Sequence, residues 1–68
     1  MASVEIRTPP AEVAARLEEL RRWLQQRGCA YSLASTGSRD EAVLIFDFPS
    51  HIDANDFAEQ FGGTLVPS

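Results

Sequence analysis

The chain reads as a small α+β domain with the element order β-α-β-β-α-β, and three observations lead there. The longest apolar run, Glu41 to Phe48, carries apolar residues at both sets of alternate positions, the pattern of an interior strand. Val13, Leu17, Leu20 and Leu24 recur at spacings of four, three and four, which draws one stripe along a helix. Ala54, Phe57, Ala58 and Phe61 repeat at i, i+3, i+4 and i+7 and draw a second.

Taken in order, Val4 and Ile6 alternate with Glu5 and Arg7, the signature of a short half-buried strand. Thr8-Pro9-Pro10 ends it. Threonine is a good N-cap and proline costs nothing at a first helical position, so a helix is predicted over Ala11 to Arg27. Trp23 falls on the flank of its apolar stripe. Glu12 with Arg16 and Glu18 with Arg22 stand at i,i+4 with the acid N-terminal, the favoured order for an ion pair. Gly28 supplies the left-handed stop.

Cys29 to Ala34, with Tyr31 and Leu33 alternating, predicts a second strand. Ser35 to Asp40 is turn chemistry throughout, so this strand and Glu41 to Phe48 form a hairpin. Pro49 stops the hairpin, and a second helix starts at Ser50 or Asp53. With Asp53 as cap, Asp56 takes the capping-box position and Ile52 staples onto Phe57; with Ser50 as cap, Asp53 takes that position. Gly62-Gly63 ends the helix, and Thr64-Leu65-Val66 forms a last short strand before Pro67.

This order, over the whole chain of 68 residues, resembles the ferredoxin-like plait. The resemblance implies a four-stranded antiparallel sheet of order 4-1-3-2 with both helices on one face. Leu44, Phe46 and Phe48 then meet Val4, Ile6, Leu17, Leu20, Leu24, Tyr31, Leu33, Phe57, Phe61 and Leu65 in one core. The other sheet face holds Glu5, Arg7, Ser32, Ala34, Val43, Ile45, Asp47, Thr64 and Val66 and is left open.

Composition narrows the function classes. The chain is a single domain, 44% hydrophobic and 24% charged, an ordinary globular balance. A core of this size rarely supplies more than roughly 3–5 kcal/mol unaided, and natural chains in this range usually add a disulfide, a metal or a partner. With one cysteine, Cys29, and one histidine, His51, there is no internal disulfide and no Cys/His metal set, which leaves a partner. A net charge of −4 disfavours nucleic acid and anionic membranes as partners. All six cations are arginine, a usage that also fits a GC-rich genome. The unpaired cysteine and the lack of an apolar leader or spanning segment lead us to expect a cytoplasmic protein.

Val43, Ile45 and Val66 on an uncovered face make that face the functional candidate, with Glu5, Arg7 and Trp23 as further interface candidates. Strand propensity alone also accounts for β-branched residues there. The expectation is a non-catalytic, self-associating or partner-binding module, a homodimer or a complex with a small protein, that needs no cofactor and no metal. An alternative is a regulatory domain of ACT-like type that binds a small ligand, although the glycine those domains place between first strand and first helix is missing. Copper-chaperone-like domains carry Cys-x-x-Cys where Thr8-Pro9-Pro10 stands, and RNA-recognition domains carry aromatics where Glu5, Arg7, Val43 and Ile45 stand.

Candidates for chemistry are few. Asp47, His51 and Asp53 lie close in sequence and could in principle serve as an acid/base group, but their spacing matches no ligand motif and Asp53 has a role as a cap. Cys29 follows Gly28 without a thiolate-stabilising neighbour and reads as a small buried hydrophobe.

Overall fold

The first strand, β1 (Ala2–Thr8), buries alternate residues and is followed by a 3-10 turn (Pro10–Glu12) and helix α1 (Val13–Arg27). After β2 (Ser32–Gly37) and β3 (Ala42–Phe48) come helix α2 (His51–Phe61) and β4 (Thr64–Val66). These elements belong to a computed structural model that describes residues 2–66. The expected Pro67 lies outside them.

The four strands form one antiparallel sheet in the order β2-β3-β1-β4, which counted from the β4 edge reads 4-1-3-2. β3 and β1 are interior and pair along their whole length, from Ala2 with Phe48 to Thr8 with Ala42. β2 pairs with β3 on one side, from Ser32 with Asp47 to Gly37 with Ala42. β4 adds three pairs to β1 on the other.

Period-two alternation sorts the side chains. Val4, Ile6, Leu44, Phe46 and Phe48 turn to one side of the sheet, and all are at most 4% exposed. Leu20 and Leu24 of α1 and Ala54, Phe57 and Ala58 of α2 close over them. Phe57 is the hub: its ring centroid lies 4.8 Å from Phe46, 5.2 Å from Phe48, 5.1 Å from Phe61 and 5.6 Å from Trp23. Tilted pairs of this kind add about 0.5–1.5 kcal/mol each beyond the area they bury.

Local chemistry explains the punctuation. Gly28 and Gly62 end the two helices at φ 71° and 69°, where a glycine has no steric cost. Gly37 at φ 134° is needed for space as well, because a Cβ there would stand 2.3 Å from the Glu41 carbonyl oxygen. The hairpin closes when the Ser38 N–H donates to that same carbonyl at 2.8 Å. At Gly63 a Cβ would sit 2.7 Å from Val4 Cγ1, so the bare backbone lets β4 approach β1.

Several local expectations are corrected. Thr8 does not cap a helix; it is the last residue of β1, 6% exposed and paired with Ala42, and Pro9 precedes the 3-10 turn instead. That turn keeps Glu12 off the helix, and Arg16 pairs with Glu19 at 3.7 Å rather than with Glu12. Glu18 and Arg22 form no pair among the described residues. The second strand starts at Ser32, not Cys29, and runs on through Ser35 and Thr36 to Gly37. Ser50 rather than Asp53 precedes α2, without a side-chain cap bond, and Ile52 is 71% exposed and staples nothing. Leu65 lies on the helix side of the sheet but is 45% exposed, so it borders the core without joining it.

Candidate functional site

Two helices cover one side of the sheet, and no described residue covers the other. The register arranges that open face in three rows across the strands. Thr36, Val43 and Arg7 form the first; Ala34, Ile45, Glu5 and Thr64 the second; Ser32, Asp47, Ser3 and Val66 the third. Val43 and Ile45 are thus neighbours on β3, with Ala34 beside Ile45. Val66 stands apart, two strands or about 10 Å from β3, with Ser3 between them. The apolar patch is therefore narrower than the sequence suggested and leaves Val66 out.

Charge runs along its β1 side. Arg7 Nε donates to Glu5 Oε1 at 2.8 Å, and Arg7 Nη1 lies 3.5 Å from Glu41 Oε1. The hydrogen bond that Arg7 donates to Glu5, then the charges of Glu5 and Glu41, hold the Arg7 guanidinium above its usual range. It stays protonated at every working pH. At the far end the Ser3 hydroxyl donates to Asp47 Oδ1. The face is thus a small apolar centre of Val43, Ile45 and Ala34, fringed by self-paired polar groups.

The remaining candidates lie elsewhere. Trp23 is on the helix layer, packed edge-on against Phe61 with centroids 5.8 Å apart, and is not part of the open face. The Arg27 guanidinium stacks 5.2 Å from the Trp23 ring centroid and donates from Nε to Asp53 Oδ1 at 2.9 Å. Arg27 also bonds Asp56, which makes it a clasp from the end of α1 to the first turns of α2. Sequence spacing could not reveal this contact, because its partners are 26 and 29 residues away. The hydrogen bonds that Arg27 donates to Asp53 and then to Asp56 raise its pKa.

The trio Asp47, His51 and Asp53 is not gathered into a site. Asp47 is bonded to Ser3 on the open face, Asp53 to Arg27 between the helices, and His51 is exposed. Among the described residues no group of three or more His, Cys, Asp or Glu is placed to hold a metal ion. Cys29 is half-buried; that burial, and secondarily the charge of Asp53, push its thiol pKa up from 9.0.

Two concavities accompany these features. One, of about 200 Å³, lies at the strand ends among Ala30, Tyr31, Ser32, Asp47, Phe48 and Pro49. A shallower groove of about 340 Å³ along α2 and β4 brings together the exposed Ile52 and Leu65 with His51, Asn55 and Asp56. No described helix is long and apolar enough to cross a membrane. No family model, curated protein or solved structure matches the chain, so its geometry alone carries the functional reading.

Proposed function

We propose that this chain is a ferredoxin-like plait that works as a cytoplasmic, non-catalytic protein-interaction module, with the open sheet face as its contact surface. The split arrangement supports the fold reading: β1 and β2 flank β3, and β3 and β4 flank β1, so each helix connects strands separated by one inserted strand. The observation that carries the function is the asymmetry of the sheet. On one side the helices bury the side chains of the two interior strands, while Val43, Ile45 and Ala34 form an apolar centre on the side with no cover among the described residues. The polar fringe, Glu5 with Arg7 and Ser3 with Asp47, is internally paired, which suits a rim around a dry contact.

A small-ligand role of ACT-like type is less well supported. The concavity at the strand ends, about 200 Å³, is below the roughly 300–1,000 Å³ of ordinary ligand sites, and the larger groove of about 340 Å³ along α2 and β4 is shallow and open to solvent.

A photo-crosslinking amino acid placed at Thr64, on the open face, tests the reading against the same group at Gln60, exposed on α2. The Thr64 probe is expected to capture a protein in cells, and Ile45→Lys is expected to abolish that capture while the chain keeps its circular dichroism. Equal capture from both positions, or capture indifferent to Ile45→Lys, overturns it.

A further inference from the structure

We infer that the outer edge of β2 is a self-pairing surface on which a second copy of this chain adds antiparallel, making one eight-stranded sheet from two protomers. The inference deepens the interaction reading by naming a partner and a place, but it uses the sheet's edge rather than its face. β2 is the last strand on its side of the sheet, and no described residue pairs with its outward backbone groups. An unpaired strand edge is a template for another strand unless something blunts it. The two edges differ here: β4 offers three residues, whereas β2 offers six, Ser32 to Gly37, without a charge or a proline.

Why the occupant is a second copy follows from charge and from side-chain size. The chain carries −4 overall, so copies repel except where they meet along an uncharged strip, and β2 is such a strip. A foreign peptide added to an edge gains its specificity from pockets for alternate side chains. Along Ala34 to Gly37 the edge presents only small side chains, which wall no deep pocket for a foreign side chain, and the concavity at the strand ends touches β2 at Ser32. What β2 offers is backbone, and an antiparallel strand related by a two-fold axis is complementary to itself.

The pleat limits the registers. Residues directly opposite in an antiparallel pair point to the same side, so Leu33 meets Tyr31, Leu33 or Ser35 of the copy, and Ala34 meets Ser32, Ala34 or Thr36. None of these pairs brings like charges together, and the pairs opposite Leu33 add cover to that half-buried side chain. A two-fold axis normal to the sheet keeps both helix layers on one side. The two Val43–Ile45 patches then share the opposite side, so the dimer presents its contact surface twice.

Sedimentation velocity on the full chain and three variants tests this. The wild type is expected at twice 7.5 kDa. Ser35→Lys, on the helix side of β2, and Thr36→Lys, on the open side, share only the strand edge; both are expected to sediment as monomers with unchanged circular dichroism. Each lowers the net negative charge, so general repulsion cannot explain dissociation. Ile45→Lys is expected to remain dimeric. A monomeric wild type overturns the inference. So does a dimer that survives both lysines but dissociates in Ile45→Lys, a result that would place self-association on the open face and leave the interaction reading standing. Should one lysine variant lose its fold, the other decides.

Discussion

The two sides of β3 share one backbone and differ in almost everything else. Leu44, Phe46 and Phe48 are fully buried under the helices, whereas their neighbours Val43, Ile45 and Asp47 keep part of their surface in water. Packing decides the identity of the first set, because a close-packed core registers the loss of a single methylene. Strand propensity and the needs of a surface decide the second. Stability and function are thus written on alternate residues of one strand, and substitutions at adjacent positions should separate them.

The largest effect is expected at Phe46, whose ring stands 4.8 Å from Phe57 and 5.9 Å from Tyr31. Phe46→Ala should cost about 3–5 kcal/mol, as large as the whole stability of many domains this size, and leave the chain largely unfolded in urea titrations at 25 °C. Ile45→Thr, one residue away, should cost roughly 1 kcal/mol or less and leave the urea slope unchanged. Comparable losses at the two sites would mean that the open face is packed.

Next in size is the hairpin that sets β3 against β2. Gly37→Ala forces a Cβ against the Glu41 carbonyl at a φ that alanine avoids, and about 1–3 kcal/mol should be lost. Gly28→Ala meets nothing within 4 Å and bears only its left-handed φ, so its melting temperature should fall less. Reversal of that order in thermal melts would refute the close approach at the tip.

The smallest effect concerns Cys29, beside the core yet not within it. Its thiol pKa is raised in the folded chain, so the stability tied to it is present below the unfolded value and is lost as pH rises past the folded one. Melting temperature should therefore decline slightly above pH 9 in the wild type and less in Cys29→Ser. Alkylation at pH 8 should be slower for the folded chain than for the chain in urea, reflecting a smaller thiolate fraction.

These contrasts show which parts of the molecule were legible before the structure. The stripe through Leu20 and Leu24, and the pattern around Phe57, follow from periodicity because burial imposes periodicity. The bounds of β2 escape the sequence because Ser-Leu-Ala-Ser-Thr-Gly has one partly buried residue, Leu33, and an edge strand buries too little to leave a pattern. Thr8 has both cap and strand preferences, and its pairing with Ala42 decided between them. On the open face the residue types were readable, but the separation of Val66 from Ile45 depends on register, which only the assembled sheet supplies. The Arg27 clasp was hidden for the same reason.

The pairing of Ala2 with Phe48 has a consequence in time. Of these elements β1 is made first, yet its pairing partner follows 34 to 46 residues later; at 5–20 residues per second that delay is about 2–9 s. Through that interval Val4 and Ile6 have no sheet to join, and the stripe of α1 has no floor to close against. The β2–β3 hairpin, by contrast, pairs residues separated by a short turn and is complete almost as soon as it is made. The central position of β1 in the finished sheet thus makes the earliest-made of these elements among the last to be placed.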